Sequence, residues 1–288
     1  MGGQRASGGS EQGSGEGAGS GEERGTREVR LNFMRAVIKY PGSKWSIARW
    51  IINFFPEHHS YLEPFFGSGA VLFNKSRSHI ETVNDMDGNV INLFQWIKKD
   101  PEWLAHEIYF TPYARQIYDD AFSSVPENDF ERAVQFYIRL NMGHGFRTNG
   151  EKVGWKNDIQ GRERAYATQD WCNLPSKIIL ASERLQGVQI ENRPAVELIR
   201  RFNYENVLIY LDPPYVLSTR HGKQYRYEMD LQQHEELLLA ALEHRGFVLI
   251  SGYENGLYTD LLKDWHRRET TCYSQTSTKK NGNSMDEF

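Results

Sequence analysis

The sequence predicts an α/β fold: a doubly wound, mostly parallel sheet interrupted by an inserted, mostly helical segment. Three observations carry this. Short apolar runs alternate with stretches whose apolar residues recur at helical spacing, the rhythm of repeated βα units. The run Val207-Leu208-Ile209-Tyr210-Leu211 is apolar throughout, as in a strand buried on both faces of a parallel sheet. Between about Ile108 and Asn173 the rhythm breaks into an aromatic-rich stretch.

Taken in order, residues 1–33 are Gly, Ser, Glu and Arg with almost no apolar content. Such a segment cannot bury enough surface to offset its ordering entropy, so a disordered tail is expected, with Met34 as an alternative start. Ala36-Val37-Ile38 leads into Tyr40-Pro41-Gly42-Ser43-Lys44, and Trp45, Ala48, Ile51, Ile52 and Phe55 share a helical face that Pro56 ends. Tyr61-Leu62 is a short strand, followed by Glu63-Pro64-Phe65-Phe66-Gly67-Ser68-Gly69 and a helix from Ala70. Ile80 to Val83 is the next strand, tipped by Asn84-Asp85, and Val90, Leu93, Phe94 and Ile97 repeat at helical spacing up to Pro101.

The interrupting segment carries a helix from Phe130 to Leu140 and then a loop-like run to Gly150, in which Asn149-Gly150 has a type I′ hairpin signature. After Pro175 the alternation resumes. A helix from Ser176 to Leu185, a strand from Val188 to Ile190 and a helix from Ala195 to Phe202 precede the 207–211 strand. A helix from His234, a strand from Phe247 to Ile250 and a last strand near Glu269 to Ser274 follow it. The expected plan is one α/β domain built from 34–107 and 174–288, with 108–173 as an inserted subdomain.

Composition narrows the class. The 288 residues allow one large or two modest domains. No apolar run approaches a bilayer-spanning length, and the N-terminus lacks the apolar stretch of a signal peptide. Cys172 and Cys272 lie far apart without zinc-like spacing or nearby histidine pairs, which reads as a reduced, intracellular, metal-free protein. The net charge of −4 is neutral on nucleic-acid binding, but the bases are clustered. Between Arg132 and Arg164 the bases Arg132, Arg139, Arg147, Lys152, Lys156, Arg162 and Arg164 face only Glu151, Asp158 and Glu163. A second group, Arg220, His221, Lys223 and Arg226, follows the 207–211 strand. Both favour a polyanion over a merely solvated loop.

Chemistry concentrates where that strand ends, at Asp212-Pro213-Pro214-Tyr215. Neither proline has an N–H to give the ladder, so the strand stops there. Its tip then presents a carboxylate, bare carbonyls and an aromatic ring. The carboxylate and the Pro213 carbonyl can accept two N–H bonds from the amino group of a planar substrate while the Tyr215 ring stacks on its face. In open α/β sheets ligands bind at these carboxyl ends. Read alone, the tetrapeptide is also compatible with an ordinary strand-ending turn. Phe65-Phe66-Gly67-Ser68-Gly69 closes one strand and opens a helix, and its glycines allow a tight turn and close approach to a ligand. It is neither a phosphate loop nor a G-x-G-x-x-G fingerprint, and by itself a structural glycine turn explains it equally well. Asp85 tips the following strand, where doubly wound folds hold ribose hydroxyls. Lys44 is suited to a carboxylate partner and is mildly unfavourable at a helix N-terminus.

Together and in this order these motifs resemble the DNA adenine methyltransferases of the Dam-like class. The similarity includes Tyr40 to Lys44, Glu63 to Gly69, Asn84-Asp85, Arg147 to Gly150, Asp212 to Tyr215, His234 to Leu237 and Ile250 to Tyr253. The resemblance implies a Rossmann-like methyltransferase sheet with an inserted target-recognition subdomain. It also implies methyl transfer from S-adenosylmethionine to the exocyclic amino group of an adenine flipped out of double-stranded DNA. Tyr40, Lys44, Glu63, Pro64, Phe65, Gly67, Ser68, Gly69, Asp85 and Asp212 would line the cofactor pocket. Asp212, Pro213, Pro214 and Tyr215 would hold the target base, with His144, Phe146, Arg147, Asn149, Lys152 and Lys156 on the DNA. The setting implied is the cytoplasm of a bacterium or phage host, with no membrane and no metal. Two alternatives stay open: an amino-methyltransferase on cytosine or RNA, and a non-catalytic DNA-binding protein on the same fold. Members of the class end in a further apolar strand, whereas this chain stops at Asp286-Glu287-Phe288, so that strand is expected to be missing or replaced.

Overall fold

The computed structural model describes residues 35–145, 147–159, 167–219, 222–271 and 284–287, all within one compact unit spanning 33–288. The expected tail, Phe146, and the bases Arg162, Arg164, Arg220 and His221 lie outside the described residues.

The elements alternate as the sequence predicts. In chain order they are α1 (Ala48–Ile52), β1 (Ser60–Glu63), α2 (Ala70–Asn74), β2 (Ile80–Asn84), α3 (Gly88–Lys99), α4 (Pro101–Phe110), α5 (Arg115–Ser123) and α6 (Asp129–Met142). There follow α7 (Ala167–Cys172), α8 (Leu174–Leu185), β3 (Val188–Glu191), α9 (Ala195–Arg201), β4 (Val207–Leu211), α10 (Leu231–Leu242), β5 (Phe247–Gly252), α11 (Gly256–Leu261), β6 (Arg268–Thr271) and β7 (Ser284–Glu287). Side-chain caps set several helix starts. Asp87 accepts from Asn89 N–H, Asn128 from Glu131 N–H, and Asp230 forms a capping box with Gln233.

Among the described residues the sheet order is β3-β2-β1-β4-β5-β7-β6. β1 to β5 are parallel, and β7 runs antiparallel between β5 and β6. The last described strand is β7 at 284–287, a polar segment where a final apolar strand was expected to be missing or replaced. The order reverses between β1 and β4, which opens a crevice at their carboxyl ends.

The period of two along each strand sorts side chains onto two faces. Tyr61, Val83, Leu208 and Tyr210 share one core with α1, α3 and α8, while Leu62, Ile209, Leu211 and Ile250 share a second core with α9, α10 and α11. Burial on both faces is why β4 reads as an uninterrupted apolar run.

The segment 108–173 supplies α5, α6, α7 and the end of α4, and the expected boundary at 108 falls inside α4. Tyr118, Phe136, Tyr137 and Leu140 belong to the same core as the sheet, and the Tyr137 hydroxyl donates to Val37 O at 2.9 Å. After α6 the backbone doubles back. Gly143 bridges Trp155, His144 N–H donates to Gly154 O, and Lys156 N–H donates to Met142 O. This pairing is wider than the two-residue turn expected at Asn149-Gly150. The Asn149 side chain instead accepts from Glu151 N–H at 3.1 Å, and Gly150 takes φ +87°.

Candidate active site

β1 and β4 deliver their ends to one cavity of about 350 Å³, within the range of small-molecule sites. After β1 the chain must turn sharply, and Gly67 and Gly69 do so at φ +48° and +68°. A Cβ on Gly67 would lie 3.0 Å from the Tyr40 ring, and one on Gly69 would lie 2.5 Å from Phe66 Cζ. Both positions exclude a side chain on steric and conformational grounds, so the sequence motif is a built turn. Ser68 is fixed in it by the Ser43 hydroxyl at 2.8 Å and by Trp45 Nε1, which donates at 3.1 Å.

Six acidic residues line the cavity, and four of them, Glu63, Asp85, Asp87 and Asp212, stand at or just beyond the ends of β1, β2 and β4. Glu63, 2 % exposed, accepts from the Tyr61 hydroxyl at 2.8 Å and from Leu72 N–H at 3.2 Å. Burial pushes its carboxyl up to about 8, with the Asp212 charge adding to the effect. Asp85 accepts from Gly67 N–H and Asp87 N–H, both at 2.8 Å, and burial raises it to about 7. Asp87 caps α3 through Oδ1, while its buried Oδ2 has no hydrogen-bond partner among the described residues. Asp212 stands at the tip of β4.

Lys44 is 3 % exposed and lies before α1 rather than on a helix. Its Nζ donates to Asp212 Oδ1 at 2.6 Å, to Oδ2 at 2.7 Å and to Gly42 O at 2.8 Å, and it sits 4.9 Å from the Tyr215 ring centroid. Burial pushes the Asp212 carboxyl above the usual range, while the Lys44 ammonium and the Tyr215 hydroxyl pull against that. The result is a compact ion pair at the mouth of the crevice. Tyr215 is buried, with the Tyr253 ring edge-on at 4.6 Å. Behind it the Tyr210 hydroxyl and Ser251 Oγ share a buried bond of 2.7 Å.

Of the residues predicted for the cofactor, Tyr40, Lys44, Glu63, Pro64, Phe65, Gly67, Ser68, Asp85 and Asp212 line the cavity. Gly69 shapes the turn without lining it. Pro214 lines the cavity, whereas Pro213 and Tyr215 do not. The described candidate DNA residues, His144, Arg147, Asn149, Lys152 and Lys156, do not line this cavity. His144 is exposed, Arg147 pairs with Glu151, and Lys152 pairs with Asp119 at 2.7 Å. Asn149 donates to Lys223 O at 3.1 Å, and the Lys156 carbonyl accepts from the Tyr113 hydroxyl.

Sequence reasoning missed Asp87 and the segment Tyr225–Met229, which forms one wall of the cavity. The signal was the cluster of aromatic residues, Tyr225 and Tyr227, within the basic stretch after β4. Among the described residues no His, Cys, Asp and Glu grouping is suited to a metal ion, and no helix is long and apolar enough to cross a membrane.

Comparison with known proteins agrees with this geometry. Residues 40–277 match the family of D12 class N6 adenine-specific DNA methyltransferases. A DNA adenine methylase from Vibrio cholerae serotype O1 is 25% identical over 193 residues, covering 64% of this chain and 67% of that protein. The Type II methyltransferase M1.LlaDCHI from Lactococcus lactis subsp. cremoris is 23% identical over 279 residues, covering 86% and 92% of the two chains. The DNA adenine methylase of Escherichia coli (strain K12) is 24% identical over 248 residues, covering 81% and 84%. The chain belongs to the D12 class of N6 adenine-specific DNA methyltransferases, enzymes that methylate adenine in DNA.

Proposed function

We propose that the cavity between β1 and β4 binds S-adenosylmethionine and that Asp212 to Tyr215 hold an adenine flipped out of duplex DNA. The observation that carries this reading is convergence. The glycine turn after β1, the acid after β2 and the Asp-Pro-Pro-Tyr tip of β4 meet at the switch point of a doubly wound sheet.

The donor set fits that cofactor. Its ammonium, sulfonium and ribose hydroxyls need acidic or acceptor groups, and the cavity offers Glu63, Asp85, Asp87 and Asp212. One of these carries a buried oxygen, Asp87 Oδ2, that lacks a partner among the described residues. Glu63 and Asp85 would hold the cationic and ribose portions, with Tyr40, Pro64, Phe65 and the Gly67-Ser68-Gly69 turn enclosing the rest. When bound, S-adenosylmethionine supplies an electrophilic methyl group.

The chain's own residues do the remaining work. The amino nitrogen of adenine is a poor nucleophile because its lone pair is delocalised into the ring. Asp212 and the Pro213 carbonyl, accepting its two N–H bonds, would localise that pair and stabilise the positive charge that develops on nitrogen. Pro214 stiffens the strand tip, and Tyr215 would stack on the base. Extracting the base costs roughly a few kcal/mol, of which stacking would recover about 1–3 kcal/mol. Without a base, the Lys44 ammonium already occupies both Asp212 oxygens and hovers over the Tyr215 ring. Each Asp212 oxygen keeps a further lone pair with which to accept the target amino group while Lys44 stays in place.

The region 108–173 serves as the recognition subdomain in this reading, with His144, Phe146, Arg147, Asn149, Lys152 and Lys156 facing DNA. Arg147 and Asn149 have the chemistry to read guanine and adenine edges, and the lysines suit phosphates. Acting on DNA, the protein would work in the cytoplasm of a bacterial or phage-infected cell.

A duplex with 2-aminopurine at the target position tests the base-holding role. Wild type is expected to raise its fluorescence on binding, whereas Tyr215→Ala binds with a weakened response. An unchanged response in the variant would remove Tyr215 from the base site.

A further inference from the structure

The wall formed by residues 223–229 has two neighbours: the cavity on one side and the doubled-back segment 143–156 on the other. On the cavity side Tyr225 packs against Tyr40, with ring centroids 6.0 Å apart, and its hydroxyl donates to Pro41 O at 3.1 Å. Arg226 also lines the cavity and acts electrostatically on the buried Asp87. On the other side the contacts converge on one residue. Thr148, 7 % exposed, donates its N–H to Gln224 O at 2.9 Å, and its Oγ1 accepts from Arg226 N–H at 3.3 Å. Asn149 adds a bond to Lys223 O. Within the wall, the Glu228 carboxylate accepts from Gln224 and Tyr225 N–H at 2.8 and 3.0 Å, so 224–228 is a locally closed turn.

We propose that Thr148 is a positioning residue that makes cofactor binding and DNA engagement interdependent. It clasps the turn that carries Tyr225 to the segment that carries Arg147 and Asn149. The inference rests on the reading of the cavity as the cofactor pocket and of 143–156 as the DNA-facing segment. Any ordering of that segment by DNA draws on the Thr148 bonds and is felt at Tyr225 and Tyr40. Any ligand that packs on Tyr40 and Tyr225 in turn fixes Thr148. Linkage requires the effect to be reciprocal.

The test is titration calorimetry of S-adenosylhomocysteine into wild type, Thr148→Val and Thr148→Ser, with and without a saturating random-sequence duplex, alongside melting temperatures. Wild type is expected to bind S-adenosylhomocysteine more tightly on DNA by roughly 5- to 150-fold, the usual span of such couplings. Thr148→Val, which keeps shape and loses the hydroxyl, should bring that ratio to within about twofold of one, and Thr148→Ser should restore it. Tyr225→Phe removes the bond to Pro41 O and should lower the same ratio, which covers the case of a Thr148→Val chain that does not fold. A purely structural role would lower melting temperature and both affinities while leaving the ratio intact, and that outcome overturns the proposal. A wild-type ratio of one also overturns it while leaving the cofactor reading in place. Failure of wild type to bind S-adenosylhomocysteine at all overturns the cofactor reading and this proposal together.

Discussion

Replacing Lys44 with methionine removes a cation that lies 2.6 and 2.7 Å from the two oxygens of Asp212, while keeping a side chain of similar length in a site only 3 % exposed. Unit charges about 3 Å apart attract by roughly 5 kcal/mol at an effective dielectric near 20, before desolvation of both groups is subtracted. What survives of that attraction in such pairs is about 1–3 pKa units on the carboxyl. The sign follows directly. Lys44 favours the ionised carboxylate against a burial effect that already pushes Asp212 up, so deleting it pushes Asp212 further up. Because the ionised carboxylate is the stronger acceptor for the N–H bond that the target amino group gives Asp212, activity should fail at a higher pH than in wild type. The assay is the pH dependence of kcat/KM for labelled methyl transfer to duplex DNA, which reports groups of the free enzyme. Its acidic limb should move up by about 1–3 units in Lys44→Met. A limb that stays within about 0.3 unit, with a uniform loss of rate at all pH values, would falsify the account of Lys44 as the counter-ion of Asp212.

Three further outcomes are expected. Gly69→Ala forces a side chain into φ +68° and against Phe66 and Phe73, so a left-handed penalty of about 1–2 kcal/mol adds to about 1–3 kcal/mol of ring displacement. Urea unfolding should show the sum, and a loss below about 1 kcal/mol would contradict the turn geometry. Glu63, raised to about 8 by burial, carries a proton at neutral pH, and an ammonium bound beside it favours the ionised form. S-adenosylhomocysteine affinity should therefore rise with pH up to about 8 with proton release, and Glu63→Gln should flatten the dependence; a flat wild-type profile removes Glu63 from the ligand site. Away from the site, Arg184 makes two bonds to Glu81, at 2.6 and 2.8 Å, and Lys75 makes a third at 2.6 Å. Burial opposes ionisation of Glu81, but these partners overcome it and hold the carboxyl at about 2. The associated stability is present above the ordinary carboxylate pKa and lost as pH falls through about 2. Arg184→Ala should cost about 3 kcal/mol at neutral pH, the lower end for a broken buried pair because Lys75 remains. Equal unfolding midpoints would show the triad to be energetically neutral.

Much of this was legible in the sequence, for reasons that differ by element. β4 was read with its observed boundaries because burial on both faces leaves an unbroken apolar run and two prolines mark the end. The strand tips carrying Glu63, Asp85 and Asp212 were legible because turn chemistry and period are local. The pairing of Lys44 with Asp212 was not, since it joins residues 168 apart in the chain and only the sheet order brings them together. The same holds for the wall at Tyr225–Met229, whose role depends on what folds against it. α1 is shorter than the periodic face suggested, five residues rather than a helix reaching toward Phe55. At the C-terminus, where the apolar strand was expected to be missing or replaced, β7 is a short polar segment with no apolar signature. The choice between adenine and cytosine or RNA was left open by the residues and is closed by family membership.

The most direct test of the account is transfer of labelled methyl from S-adenosylmethionine to unmethylated duplex DNA, followed by digestion to nucleosides, for wild type and Asp212→Asn. Wild type is expected to place the label in N6-methyl-2′-deoxyadenosine. The variant should lose at least about 100-fold in rate, as when a preorganised transition-state partner is removed, while still binding S-adenosylhomocysteine. Near-wild-type transfer by Asp212→Asn, or label recovered in methylcytosine, would contradict it.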